Sequence, residues 1–179
     1  IRTYRNIPYH ASVLTTGGSG EDVSFEIVQE PRHGTVAIDG AEFTYTPAKD
    51  RCGTDRFTYL CRDAQGDASA EAEVTITVSR VKSGVTYADT DGSGAEAAAQ
   101  YLAEAGVFTG AQVAGQYFFE PERTVTRAEF LAMTMDCLGM SATAVTVTGF
   151  SDDAAIPAWA KDYASAALRQ GVVRGSAGE

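Results

Sequence analysis

The residues best placed to do chemistry lie in Val125-Thr126-Arg127-Ala128-Glu129-Phe130. Thr126 suits a helix N-cap, and Glu129, three residues on, completes a Thr-x-x-Glu capping box in which each side chain satisfies a backbone N–H of the other. Val125 and Phe130 occupy the hydrophobic-staple positions. Arg127 is the misfit, because it falls at the first helical position, where exposed N–H groups already make the helix end positive. A cation there costs a few tenths of a kcal/mol. What it offers is a guanidinium that can grip a carboxylate with two parallel hydrogen bonds, beside a helix N-terminus that favours an anion. The alternative is a surface ion pair with Glu120 or Glu122. Glu129 is chiefly a cap, with orientation of the arginine as a second role.

Other chemistries find little support. There are two histidines, His10 and His33, and no Gly-x-Ser-x-Gly, Walker loop or metal-binding His pair. Cys52, Cys61 and Cys137 lack C-x-x-C spacing. Cys52 and Cys61 could form a disulfide in an extracellular protein, or be small buried hydrophobes. Cys137 lies on an apolar helical stripe and is expected in the core. Asp89-Thr90-Asp91-Gly92-Ser93-Gly94 imitates the start of an EF-hand, but Gln100 stands where the bidentate acid belongs. Asp63 and Asp67 make no complete calcium set. No enzyme, cofactor or metal site is expected.

These residues sit in a chain of 179 residues with net charge −10. The acidic balance disfavours nucleic acid and anionic lipid. No apolar run approaches the ~20 residues of a spanning helix, so no membrane insertion is expected. The chain opens mid-pattern and stops just after what looks like the start of a second repeat, so it reads as a fragment or processed product.

Two periods divide it. In residues 1–80, the runs 41–47, 55–61 and 72–78 alternate apolar and polar residues. Phe57, Tyr59 and Cys61 share one face, and Val74, Ile76 and Val78 another. Turn clusters at 31–34, 38–40 and 63–66 separate short strands, the spacing of an antiparallel sandwich. Residues 81–85 read as a linker. Amphipathic helices follow. Ser93 and Glu96 spell a second capping box, with Ala98, Tyr101, Leu102 and Ala105 as its stripe. The helix from Thr126 carries Phe130, Met133, Thr134, Cys137 and Leu138 on one face. A third helix opens with Pro157 near N1 and runs through Trp159, Tyr163, Ala166 and Ala167 to Gly171. The second half also repeats: 87–110 lines up with 150–175, pairing Tyr87 with Phe150, Asp89 with Asp152, Gly106 with Gly171 and Gly110 with Gly175.

Pro31 to Gly34, Phe43 to Pro47, Gly53-Thr54-Asp55, Phe57 to Tyr59, Asp63 and Gly66 together resemble the bacterial immunoglobulin-like and cadherin-like tandem modules, which implies a seven-stranded β-sandwich serving as spacer or adhesive unit. Tyr87-Ala88-Asp89, Gly106 to Gly110, Phe119-Glu120-Pro121 and Thr126 to Glu129 resemble the S-layer homology modules. The expected fold is therefore multidomain: an all-β immunoglobulin-like sandwich (1–80), the linker (81–85), then an all-α S-layer homology region with one full repeat (86–149) and a truncated second (150–179).

The second resemblance implies a function. Such modules usually come in threes around a helix bundle and bind secondary cell-wall polysaccharide, often carrying pyruvate ketals, in grooves between lobes. That would anchor an extracellular protein to the wall of a bacterium, expected to be Gram-positive. A ketal carboxylate would suit Arg127. Trp159 stands where the family places a groove-lining aromatic, and an indole can pack on a sugar face while donating its N–H; the alternative is a core role. The first repeat has Gly94-Ala95 at that place. Asp89 and Asp152 are motif positions that serve as helix caps or as ligand contacts. The carbohydrate-binding set is thus Arg127, Trp159, Asp152, Asp89 and Glu129. The competing functions are an adhesin acting through the β-sandwich, or a self-assembling lattice component. Incomplete repeats could also drive self-association.

Overall fold

The computed structural model describes residues 1–13 and 23–175. The last four residues of the expected second repeat, 176–179, lie outside these. Two compact units are present, Ile1–Pro121 and Glu122–Glu179.

The first unit begins with seven strands among the described residues: β1 (Arg2–Tyr4), β2 (Tyr9–Ser12), β3 (Ser24–Gln29), β4 (Gly34–Asp39), β5 (Glu42–Pro47), β6 (Gly53–Arg62) and β7 (Ala72–Ser79). They form one sheet of order β1-β7-β6-β3 and another of order β2-β5-β4. Only the β1–β7 pair is parallel among these. The alternating pattern works as the period-two rule requires: Phe43, Tyr45, Phe57, Ile76 and Val78 meet in the core, with Phe43 and Phe57 edge to face at 5.4 Å. Tyr59, Cys61 and Val74 are half-buried. One inward residue is an acid. Asp55 accepts the backbone N–H groups of Arg32, His33 and Arg56 and the Tyr45 hydroxyl, at 2.8–3.0 Å. It fastens the Pro31–Gly34 turn to the sheet.

The expected all-α character of the S-layer homology region is overturned. After α1 (Glu96–Glu104) the chain forms an antiparallel hairpin, β8 (Ala111–Val113) and β9 (Gln116–Phe118). Its two-residue loop, Ala114-Gly115, has φ of +50° and +84°, the pair of left-handed residues that a type I′ turn demands and glycine makes cheap. Ala114-Gly115 was the hairpin signal, hidden between two helical patterns.

The helix faces also differ from expectation. In α1 the buried residues are Glu96, Ala97, Ala99, Gln100 and Ala103, whereas Ala98, Tyr101 and Ala105 are exposed. Alanine on every side leaves the periodicity ambiguous, and the polar side wins because it finds partners. The helix packs on β1 and β2; Gln100 reaches Ser83 Oγ and Glu104; and Glu104 accepts the N–H groups of Lys82 and Ser83. Residues 81–85 are therefore pinned, with Val85 buried. The Ser93–Glu96 box is displaced by one register: Ser93 Oγ accepts from Ala95 N, and Glu96 Oε1 from Gly92 N.

The second unit holds α2 (Arg127–Cys137) and α3 (Lys161–Arg169). Thr126 caps α2 with the full capping box. Its buried face is centred on Met135, which packs with Leu131 of the same helix and with Ala166 and Ala167 of α3. Phe130 and Leu138 are 65% and 62% exposed, and Cys137 is exposed rather than core. Apolar residues surround α2, so the small-residue face of α3 decides which side is covered. The third helix starts late. Ala158–Ala160 is a single 3-10 turn after Pro157, and α3 follows it. Cys52, exposed, and Cys61, half-buried, are both free thiols.

Candidate functional site

The first turn of α2 is built around Glu129. Its Oε2 accepts from Thr126 N at 2.8 Å and Thr126 Oγ1 at 2.9 Å, and Thr126 Oγ1 accepts Glu129 N at 3.2 Å. Its Oε1 takes both terminal amines of Arg123, each at 3.0 Å. The Thr126 backbone bond, then the Thr126 hydroxyl and Arg123, hold this carboxyl below the usual glutamate range. Glu129 is thus spent on scaffold, and the arginine it orients is Arg123. That residue was missed in the sequence, although it is the cation that precedes the Thr-x-x-Glu box by three positions.

Arg127 itself is exposed and has no ion-pair or hydrogen-bond partner among the described residues. It stands at the first position of α2, beside free helix N–H groups. Trp159, on the 3-10 turn before α3, is 52% exposed. That turn packs against α2, so the tryptophan is carried on an element in contact with the arginine's helix. Its indole N–H is without a hydrogen-bond partner among the described residues.

The two motif aspartates differ. Asp152 is exposed and makes no side-chain cap bond at the 3-10 turn Asp153–Ala155. Its neighbour Asp153 does the structural work, accepting from Thr148 N and Lys161 Nζ. Asp89 lies in the first unit, where its two oxygens accept the N–H groups of Phe119 at 2.9 Å and Glu120 at 2.7 Å. It clamps the Phe-x-Pro turn rather than capping a helix. Around this clamp Tyr87 and Phe108 each meet Phe119 edge to face, at 5.5 and 5.7 Å. Gly110 makes the clamp possible: it has φ +69°, and a Cβ there would lie 2.1 Å from the Phe118 carbonyl oxygen. The backbone N–H groups of a Phe-x-Pro turn need an acceptor, which is the signal that could have revealed Asp89's role.

The second unit therefore carries Arg127, Glu129, Trp159 and Asp152, and the first carries Asp89 with its carboxylate engaged. A shallow recess of about 410 Å³ at the other end of α2, lined by Asp136, Met140, Asp162 and Tyr163 among others, includes none of the five. Among the described residues, no group of three or more His, Cys, Asp or Glu side chains could hold a metal ion. Among the described residues, no helix is long and apolar enough to cross a membrane.

Residues 2–77 match the family model of the bacterial Ig domain, and residues 86–131 that of the S-layer homology domain. No curated protein matches the chain. Solved structures similar to part of it include a protein described as an alpha-galactosidase/melibiase from Bacteroides fragilis, at 15% identity over 44% of this chain and 16% of that one, with a TM-score of 0.35. An endo-fucoidan hydrolase of glycoside hydrolase family 107 is similar at 14% identity over 50% of this chain and 13% of that one, TM-score 0.35. Fibronectin(III)-like modules of Clostridium thermocellum CbhA are similar at 17% identity over 46% of this chain and 89% of the other, TM-score 0.31. The chain spans less than a fifth of the length of the two hydrolases, and likeness at this level bears on no chemistry.

Proposed function

We propose that this chain, whose residues 2–77 match a bacterial Ig domain and residues 86–131 an S-layer homology domain, anchors a surface protein by binding an anionic secondary cell-wall polysaccharide, with Arg127 as the residue that grips the polymer's carboxylate. The observation carrying this reading is the unpaired, exposed guanidinium at the first position of α2. A lone surface arginine usually finds an acid; here the nearest box acid is occupied by Arg123 and Thr126. A pyruvate ketal offers the matching planar acceptor, and the helix N-terminus adds N–H groups and a favourable dipole. Trp159 supplies an apolar face and an N–H for the sugar ring. Asp152, with a free carboxylate, is the sugar-hydroxyl acceptor in this scheme. Asp89 keeps its motif role as the clamp that shapes the repeat. The Ig-like sandwich acts as the spacer. Co-sedimentation with purified wall sacculi, before and after removal of the non-peptidoglycan polymer, tests the reading: binding must fall on removal.

Self-association is a second reading, favoured by Phe130 and Leu138 on the uncovered side of α2. Sedimentation velocity over a hundredfold concentration range checks it, and a Phe130→Ser variant should remain monomeric if this side is the contact.

A further inference from the structure

We propose that His10 and Glu96 form a proton-operated latch that fastens the first helix of the S-layer homology region to the Ig-like sandwich. His10 lies on β2 and Glu96 opens α1, two elements that pack together in the first unit. His10 Nε2 is 3.6 Å from Glu96 Oε2, too long for a hydrogen bond and short enough for an ion pair. The other ring nitrogen, Nδ1, lies 3.0 Å from Thr44 Oγ1. Neutral imidazole can satisfy Thr44 as acceptor, with its single N–H directed toward the glutamate. Imidazolium donates Nδ1–H to the threonine oxygen and sets its positive charge beside the carboxylate.

Glu96 has the vacancy that makes the proton matter. Its side chain is only 7% exposed, Oε1 accepts from Gly92 N at 2.8 Å, and Oε2 has no hydrogen-bond partner. A buried carboxylate oxygen without a donor is costly, and a cation delivered to it is correspondingly useful. The histidine ring is 33% exposed and so exchanges protons with solvent. Histidine is the side chain whose ordinary titration falls between pH 5 and 8. The balance is one proton taken from solvent, with no other bond made or broken.

Glu42 of β5 is held by Ser12 Oγ, and Glu104 of α1 by the backbone of Lys82 and Ser83. Tyr4 of β1 is neutral near pH 7, its phenol pushed up by burial and by Glu104, with Arg2 opposing. Tyr9 lies tilted against Phe43, ring centroids 6.3 Å apart, and Tyr101 is turned to solvent. No other acid among them has an orphaned buried oxygen. Mild acidification therefore adds one cross-sheet-to-helix ion pair, tightening α1 against the sandwich; at alkaline pH the packing of α1 on β1 and β2 remains without it.

The test is hydrogen–deuterium exchange of the full chain at about pH 5.5 and about pH 8, corrected for intrinsic rates, in the wild type, His10→Gln and Glu96→Gln. The wild type should show α1 amides about threefold more protected at the lower pH, the size of a partly exposed ion pair. Both variants should lose that dependence while β5 and β6 amides, reporting the sandwich fold, stay protected. Equal α1 protection at the two pH values in the wild type would overturn the latch, as would a His10→Gln variant that kept the dependence.

Discussion

Arg123 places both terminal amines of its guanidinium on one oxygen of Glu129, at 3.0 Å each, while the other oxygen closes the Thr126 capping box. One carboxylate is thus saturated by a cation, a backbone N–H and a hydroxyl. The division of labour between the two arginines follows. Arg123 is consumed in holding the cap, and Arg127, four residues on, is exposed and unpaired among the described residues.

The cap itself can be measured. Thr126→Ala removes the acceptor for Glu129 N and should cost about 1 kcal/mol, read as a lower denaturant midpoint for the second unit. An unchanged midpoint would mean that α2 does not depend on its cap.

A second expectation concerns acid. The Lys161 hydrogen bond, then those from Thr148, lower the Asp153 carboxyl from its ordinary 3.8 to about 2. A depressed folded value means the stabilisation is fully present above the unfolded value and is lost as pH falls through the folded one. The loss should therefore run from about pH 4 down to about pH 2. Lys161→Met should flatten this stretch of the urea-midpoint profile; a wild-type-shaped acid limb would show that the pair is not its source.

The sandwich depends on an inward acid. In Asp55→Asn the amide can turn only one oxygen toward donors that Asp55 serves with two. Each buried N–H left without an acceptor costs about 1–3 kcal/mol. The variant should unfold several degrees lower in a thermal scan, and equal melting would count against the role given to Asp55.

Cys52 and Cys137 are exposed free thiols and Cys61 is half-buried and free. Titration of the native, non-reduced protein with a thiol reagent should label Cys52 and Cys137 promptly, and denaturation should expose the third. Finding a single reactive thiol per chain would instead indicate a Cys52–Cys61 bridge.

The sequence was most legible where one rule dominates. Alternation over 41–47, 55–61 and 72–78 marks β5, β6 and β7 because a half-buried strand has no other way to cover its apolar side. The capping box at Thr126 was readable because it is local. What failed depended on partners far along the chain. The buried side of α1 was misjudged because alanines lie all round it, and the choice fell to contacts of Glu96, Gln100 and Glu104 with the sandwich and residues 82–83. The buried side of α2 was set by Ala166 and Ala167 of α3. The hairpin was overlooked because its strands are three residues each, too short for a periodic signal, so only Ala114-Gly115 announced it. At the site, Arg127's position followed from the cap, whereas Asp89's engagement with Phe119 and Glu120 spans thirty residues of sequence and no local pattern encodes it.

The most direct measurement is the affinity of the isolated, pyruvylated wall polymer for the wild type, Arg127→Ala and Arg127→Lys, by calorimetry at fixed ionic strength. Loss of a bidentate charged contact should weaken binding at least tenfold in Arg127→Ala, on the order of 1.5–3 kcal/mol. Arg127→Lys should recover only part of it, since an ammonium cannot present the planar fork. Equal affinity of all three proteins for the polymer would contradict the assignment of the carboxylate to Arg127.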